Sequence, residues 1–236
     1  EFNRLFNSIF DHAEECMDII RILGKRHAGY TRQELAEKAK MIPNGGFTKM
    51  LKALIGSDFI IKYVPFGASN REERYKLKDS FCWFWLHFKE NKNIKQEDYW
   101  QHHLKESELT AWRGIAFEEV CLQHIRQIKQ ALQIGGISSM ESAYIVRGEK
   151  DAEGLQIDLI IDRSDDVANL CEMKYSKAPY TITSSYASHL IQRKEAMEAL
   201  FCDKTFLLTY IGSSPLAENE YTDTFPCQVT LAGLFG

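Results

Sequence analysis

Two acidic side chains and a lysine in the C-terminal half have types and spacing suited to catalysis: Asp158, Glu172 and Lys174. Each acid lies in a β-rich run, and a turn-like stretch centred near Asp165 separates the two runs. Because positions 158 and 172 are equidistant from 165, a hairpin there predicts that Asp158 faces Glu172 across the strands. Alternation of side chains also places Lys174 on the same face as Glu172.

Two carboxylates that face each other repel, so a cation has to offset their charge. A divalent ion such as Mg²⁺ prefers hard oxygen ligands and commonly takes one or two carboxylates together with water and phosphate oxygens. Lys174 is also able to neutralise the pair. The spacing therefore leaves two interpretations open, a metal site and an ordinary salt-bridged sheet face.

A third carboxylate, Glu118, lies on the predicted helix that precedes these strands. On a helical wheel it falls on the apolar stripe with Cys121 and Ile125, whereas its neighbour Glu119 falls on the polar side. A carboxylate on a core-facing stripe is uncommon unless it is paired or bound to a metal. We therefore expect Glu118, and not Glu119, to join the acidic cluster. A structural ion pair with Lys174 is the alternative.

The elements that position these side chains follow the order helix, three strands, helix, strand. The patterns predict a helix over 113–132, strands over 142–147, 156–162 and 169–175, a helix capped by Ser184 or Ser185 that runs to about Phe201, and a strand over 204–211. In the strand over 156–162, Asp158, Ile160 and Asp162 should share one face. This order predicts a mixed α/β (α+β) domain whose acids lie on adjacent strands.

The first 80 residues predict a separate, smaller domain. Three helices and a hairpin are indicated, over 12–23, 31–40, 47–55 and 59–77. Thr31 and Glu34 have the spacing of a capping box at the start of the second helix. This is the order of a winged helix-turn-helix, whose third helix is the recognition element.

That third helix would offer four polar side chains to DNA, namely Asn44, Thr48, Lys49 and Lys52. Two lysines form a thin positive surface, and affinity for DNA depends strongly on cationic contacts to phosphate. Many winged helices mediate contacts between domains instead. Both roles stay open for this region.

An aromatic-rich stretch follows the winged helix. A platform on which single-stranded bases stack is one interpretation, but the spacing of Phe81, Trp85 and Phe88 favours a helix that packs its aromatic side into a core. The chain is thus divided into three predicted parts: a winged helix over 1–80, a helical bridge over 81–112 and a mixed domain over 113–236.

Composition excludes several classes of protein. The 236 residues are 44% hydrophobic and 26% charged, and no apolar run is long enough to predict a membrane span. The net charge of −4 argues against a strongly basic nucleic-acid binder, although residues 1–80 hold 14 Lys and Arg against 11 Asp and Glu. Six scattered cysteines, with no C-x-x-C pair, indicate a reduced, cytoplasmic setting and no zinc site.

Residues 113–211 resemble the PD-(D/E)XK, restriction-endonuclease-like superfamily, whose core has the same order of elements. In this resemblance Glu118 matches the acid of the first helix, Asp158 matches the strand acid, and 172–174 match the E-x-K motif. Ile157 stands where the family name has a proline.

The resemblance implies a set of roles for these side chains. Asp158, Glu172 and the carbonyl group of Met173, assisted by Glu118, would bind Mg²⁺ or Mn²⁺. Lys174 would orient an attacking water or stabilise charge that develops on a phosphate.

A second resemblance extends over the whole chain. Four segments look like the C-terminal half of bacterial and archaeal AAA+-type predicted ATPases: Arg74-Tyr75-Lys76-Leu77-Lys78-Asp79, Phe84-Trp85, Arg113-Gly114-Ile115-Ala116-Phe117-Glu118-Glu119 and Cys171-Glu172-Met173-Lys174. In those proteins a P-loop ATPase domain precedes a winged helix and this nuclease-like domain. The sequence has no G-x-x-x-x-G-K-[ST] motif, and its first residues look like the middle of a longer polypeptide. We therefore expect the ATPase domain to lie outside this chain.

Together these features predict a metal-dependent nuclease domain that hydrolyses DNA phosphodiesters as part of such an ATPase. The alternative is a non-catalytic arm of the ATPase that binds DNA or docks the motor. A defence module restrained by its ATPase is a third possibility, which no specific residue supports.

Overall fold

A computed structural model describes residues 2–90, 107–146 and 155–235 of the chain. The chain divides into two compact units, 1–102 and 103–236. The division falls within the predicted bridge, whose middle, 91–106, lies outside the described residues. In the described ranges no helix is both long and apolar enough to cross a membrane.

The first unit combines short helices with a small antiparallel sheet. Its elements are α1 (Phe2–Ile9), α2 (Ala13–Leu23), β1 (Tyr30–Thr31), α3 (Arg32–Ala39), α4 (Gly45–Gly56), β2 (Ile60–Tyr63), β3 (Arg74–Leu77), α5 (Ser80–Phe84) and a π-helical segment, Trp85–Glu90. The strands lie in the order β1-β3-β2. The predicted order of a winged helix is therefore present, with α1 and the short β1 added to it.

Side-chain caps fix where α3 and α4 begin. Thr31 accepts a hydrogen bond from the backbone N–H of Glu34, whose carboxylate accepts one from the backbone N–H of Thr31, so the predicted capping box is confirmed. Asn44 accepts a hydrogen bond from the N–H of Phe47. These caps satisfy backbone donors that a helix leaves unpaired at its start.

The core of the first unit contains the predicted apolar faces of α2 and α4, including Ile19, Leu23, Phe47 and Leu54. The prediction of buried aromatic side chains is confirmed for Phe88 and is wrong for Phe81, which is 55% exposed while the neighbouring Cys82 is buried. The segment after α5 forms a π-helix, which has more residues per turn than the α-helix that the spacing assumed.

The second unit is built on a five-stranded mixed sheet. Its elements are α6 (Ser107–Gln123), α7 (Ile125–Ala131), β4 (Ser139–Val146), β5 (Leu155–Arg163), β6 (Val167–Lys174), α8 (Ser184–Leu200), β7 (Thr205–Gly212), β8 (Cys227–Thr230) and α9 (Leu231–Phe235). The sheet order is β4-β5-β6-β7-β8, with antiparallel pairing from β4 to β6 and parallel pairing from β6 to β8. The α+β fold and the predicted order helix, three strands, helix, strand are confirmed, and β8 and α9 extend that core.

The two faces of this sheet have different coverings. On one face, Phe117 and Cys121 of α6 pack in a cluster with Leu159, Cys171 and other strand residues. On the other face lies α8, which contacts β7. Because helices cover both sides, the central strands are buried on both faces and read as continuous apolar runs.

Among the boundaries that differ from the predicted ones, two have a clear local cause. The helix predicted over 113–132 is divided at His124, whose backbone N–H bonds the carbonyl of Cys121, three residues back, and interrupts the α-helical ladder. The helix α8 is capped by Thr183, which accepts a hydrogen bond from the N–H of Tyr186, and not by Ser184 or Ser185.

Candidate active site at the end of the central hairpin

The predicted centre of the β5–β6 hairpin agrees with the observed register. Leu159 pairs with Cys171 and Ile160 pairs with Leu170, so the two strands are symmetric about position 165. Leu159 and Cys171 form the last pair of this ladder. Asp158 and Glu172 are thus the next residues of their strands, at the point where pairing ends.

A β-bulge lies at the same place on β5. Ser142 of β4 pairs with Ile160 and Tyr144 pairs with Ile157, so one residue of β4 faces two residues of β5, Asp158 and Leu159. The bulge interrupts the simple alternation from Asp158 to Ile160 and Asp162 that the sequence predicts. Bulges redirect side chains and are common beside active sites.

Glu172 is the shared partner of three polar side chains on the α8 side of the sheet. Its Oε1 accepts hydrogen bonds from Lys174 Nζ at 2.7 Å and from the Tyr186 hydroxyl at 2.5 Å. Its Oε2 lies 3.4 Å from Nη1 of Arg193. The Lys174 ammonium also lies 5.2 Å from the centre of the Tyr186 ring. One half-buried carboxylate is thus surrounded by two cations and a phenol.

The charges of this cluster reinforce one another. Burial acts to lower the pKa of Lys174, but the Glu172 carboxylate together with Tyr180 and Glu118 outweighs it, so the pKa of Lys174 is raised and its ammonium is charged at neutral pH. Burial, followed by the charge of Glu172, raises the pKa of Tyr186. The phenol therefore keeps its proton and acts as a donor to Glu172.

Glu118 lies close enough to influence this cluster, as its charge contributes to the raised pKa of Lys174. The expectation for its neighbour is wrong, since Glu119 is only 5% exposed and Glu118 is half-buried. The helical wheel assumed a solvent-facing side, but between Arg113 and Leu122 the structure leaves no residue of α6 fully exposed.

Asp158 stands apart from the Glu172 cluster in its direct contacts. Its Oδ1 accepts a hydrogen bond from Gln156 Nε2 at 2.7 Å, and within the described ranges no hydrogen bond or ion pair joins it to Glu172 or Lys174. The structure therefore brings Glu172 and Lys174 together and places Asp158 next to them along the strands.

Asp158 and Glu172 supply two carboxylates to this end of the sheet. In the part of the chain that is described, no three His, Cys, Asp or Glu side chains are grouped to hold a metal ion. Mg²⁺ commonly binds one or two carboxylates and fills its remaining positions with water and substrate oxygens, a demand that Asp158 and Glu172 can meet. The side chain of Met173 is buried and its backbone pairs with Ile211 of β7, so the predicted role of Met173 as a metal ligand concerns its carbonyl group alone.

Sequence reasoning missed Tyr186 and Arg193 as site residues. Tyr186, Leu190, Arg193 and Met197 follow the i, i+4, i+7, i+11 spacing of one helical stripe, and Leu190 and Met197 are buried. An arginine on an apolar, sheet-facing stripe is unusual unless it has a partner. That anomaly was the available signal.

The candidate DNA-binding residues of the winged helix have divided roles. Asn44 caps α4, and the Thr48 hydroxyl accepts a hydrogen bond from Arg32 at 2.9 Å and donates one to the Asn44 carbonyl. Lys49 and Lys52 are exposed on α4. Only the two lysines are thus presented to solvent as cations.

Comparison with protein-family models and with curated proteins finds no match. Among solved structures, the chain is similar to a crystal structure of a protein of unknown function, AF1548, at 18% identity and a TM-score of 0.31. The likeness covers 42% of this chain and 50% of that one, so the matched region is about half of that protein's length. A likeness this weak carries no argument about fold or function.

Proposed function

We propose that the second unit hydrolyses phosphodiester bonds of DNA at the end of the β5–β6 ladder, with the help of a divalent cation. The observation that carries this proposal is the position of Asp158 and Glu172 as the first residues beyond the ladder, with Lys174 held against Glu172 at 2.7 Å. Two acids and a lysine at one strand end have the chemistry that phosphodiester hydrolysis requires.

Each residue has a distinct part in this proposal. Asp158, Glu172 and the Met173 carbonyl would hold Mg²⁺ or Mn²⁺, with Glu118 adding negative charge nearby. The cation would polarise a phosphoryl oxygen and lower the pKa of an attacking water. The Lys174 ammonium would stabilise charge that develops on the phosphate, because a fixed cation in a partly buried site interacts strongly with it.

Cleavage of plasmid and linear DNA with Mg²⁺ or Mn²⁺ tests the nuclease proposal. The wild-type protein should cut, whereas Asp158→Ala and Lys174→Ala should lose most of the activity. Asp162→Ala is the matched control, since this acid lies on the same strand and pairs with Lys204 at 2.7 Å, away from the site. Equal activity in the wild type, Asp158→Ala and Lys174→Ala would remove the mechanism.

A non-catalytic arm is the second candidate, and one observation favours it. Lys174 and Tyr186 already occupy Oε1 of Glu172, as in a sheet face stabilised by its own ion pair. In this role the fold would be a binding platform, and Lys49 and Lys52 would contact DNA. Isothermal titration with Mn²⁺ separates the two candidates, because a platform of this kind should release no heat of metal binding.

We further propose, on the whole-chain resemblance, that in either role the chain works with an AAA+-type ATPase domain. We propose that such a domain controls access of DNA to the site. Joining the chain to its native upstream sequence and measuring ATP hydrolysis with and without DNA tests this part. A chain whose native upstream sequence has no P-loop would refute it.

A further inference from the structure

Arg193 occupies a position on α8 that packing alone does not explain. It lies on the stripe formed by Tyr186, Leu190 and Met197, which faces the sheet. Its guanidinium reaches Glu172, and the side chain is 27% exposed, so it lies at the border between the helix–sheet interface and solvent. An arginine in such a position has one side toward the site and one side toward incoming ligands.

The bond between Arg193 and Glu172 is the weakest contact of the cluster. Its 3.4 Å separation exceeds the range of about 2.7–3.2 Å for a good N–H···O bond. Glu172 has closer partners in Lys174 and Tyr186. A guanidinium has five N–H donors, and Glu172 is the one hydrogen-bonding partner that the described residues give to Arg193. Most of its donors are thus available to an anion.

We propose that Arg193 is the phosphate-binding residue of this site and is held near Glu172 until substrate arrives. The inference rests on the proposed nuclease function, in that the anion is a phosphate of DNA. When a divalent cation binds Glu172, it repels Arg193. The planar guanidinium group of Arg193 then turns toward the phosphate and binds it through two N–H···O hydrogen bonds. Arg193 therefore opposes metal binding in the absence of DNA and favours DNA binding.

This dual role predicts effects of opposite sign from one substitution. Arg193→Gln should bind Mn²⁺ several-fold more tightly, because a cation beside a metal ligand has been removed. The same variant should bind DNA about tenfold or more weakly, the loss expected for charge-assisted hydrogen bonds. Arg193→Lys keeps the positive charge but loses the planar guanidinium group, so this variant should bind DNA with intermediate affinity.

Two binding measurements test the inference without relying on catalysis. Isothermal titration gives the Mn²⁺ affinity, and fluorescence anisotropy gives the affinity for a cleavage-resistant phosphorothioate duplex at constant salt. Lys194→Gln is the matched control, because it removes the same charge from the adjacent residue of α8, whose lysine pairs with Glu198 at 2.6 Å. Thermal unfolding of every variant verifies that each one is folded.

Support requires both shifts in Arg193→Gln and neither of comparable size in Lys194→Gln. Equal loss of DNA affinity in the two variants would overturn the inference, as would an unchanged or weaker Mn²⁺ affinity in Arg193→Gln. A wild-type protein that binds both ligands but cuts no DNA would remove the nuclease proposal and leave the Arg193 result standing. Absence of binding to both ligands would overturn the two together.

Discussion

Asp158 and Glu172 are the first residues beyond the paired length of β5 and β6, in which Leu159 and Cys171 form the last pair. Like charges directly opposite each other on adjacent strands are destabilising. Because the ladder ends before them and a bulge lies on β5, Asp158 and Glu172 are not a paired cross-strand couple, which reduces this repulsion without removing it. The strand end is therefore a place where two carboxylates lie near each other at a low energetic cost.

Neutralising Asp158 should not weaken the fold. We expect Asp158→Asn to leave the free energy of unfolding unchanged or to raise it by a few tenths of a kcal/mol, because repulsion with Glu172 is removed. Asp162→Asn on the same strand should lower it by about 0.5–1 kcal/mol, because the ion pair with Lys204 is lost. Urea denaturation of the two variants measures both. Equal destabilisation by the two substitutions would show that the hydrogen bond from Gln156 to Asp158 outweighs any repulsion from Glu172.

The hydroxyl of Tyr186 should contribute measurably to stability through Glu172. Tyr186→Phe removes a hydrogen bond to a charged, half-buried group, a loss of about 1.5–3 kcal/mol in the free energy of unfolding. Tyr180→Phe is the control, since its ring lies 6.2 Å from that of Tyr186 and its hydroxyl has no hydrogen bond within the described ranges. The difference between the free energies of unfolding of the two variants, measured in urea, gives the contribution of the hydrogen bond from Tyr186 to Glu172. If both variants lose the same stability, the short bond to Glu172 is not a net stabilising interaction.

Substitutions on α4 should separate DNA contact from helix capping. Lys49→Gln with Lys52→Gln should leave thermal stability unchanged, weaken DNA binding and reduce the slope of log K against log salt by about 2, if both contact phosphates. Asn44→Ala should instead lower stability by about 0.5–2 kcal/mol, because it removes the cap of α4. Anisotropy titrations at several salt concentrations give the slope. An unchanged slope in the double variant would favour a winged helix that contacts protein domains.

Most features of the fold that were predicted correctly from the sequence depend on local patterns. Thr31 and Glu34 form their capping box through contacts three residues apart, and the hairpin about Asp165 depends on a turn and on strand alternation. Such features depend on neighbours along the chain, so a single sequence contains them. The Glu172–Lys174 pair was predictable for the same reason, since two residues of one strand two apart share a face.

Features that depend on tertiary packing were not predictable in this way. The bulge at Asp158 depends on how β4 pairs with β5. Glu119 is buried because no side of α6 is fully exposed near this residue. The helical stripe of α8 contains Arg193, but its partner Glu172 is identified only when the sheet beneath α8 is known. In each case the deciding partner is distant in sequence, and local spacing does not specify it.

A buried polar pair between β6 and β7 gives a test of how the sheet interior is stabilised. Asn169 donates through Nδ2 to Thr209 Oγ1 at 2.9 Å, and Asn169 Oδ1 has no hydrogen-bond partner in the described ranges. Thr209→Val should lower the free energy of unfolding by about 1–3 kcal/mol, since it leaves a buried donor unpaired. Adding Asn169→Leu should recover part of that loss. The prediction is wrong if the double variant, with Thr209→Val and Asn169→Leu, is less stable than Thr209→Val alone.

Stability should fall in alkaline solution because buried acids hold their protons longer in the folded state. Burial raises the pKa of Cys16 from 9.0 to about 11 and that of Cys121 from 9.0 to about 12. Burial also raises the pKa of Tyr75 and of Tyr210 from 10.0 to about 12. Two of these residues lie in each unit, so both units should respond.

The sign of this dependence follows from the protons bound in each state. Above pH 9 the unfolded chain loses protons that the folded chain keeps, so the unfolded state binds fewer protons and stability decreases as pH rises toward about 12. Urea midpoints at about pH 8 and about pH 10.5 measure the decrease. Cys121→Ala should be less stable at neutral pH but should show a smaller decrease, because one of the responsible groups is gone. Equal midpoints at the two pH values would mean that these thiols and phenols titrate normally in the folded protein.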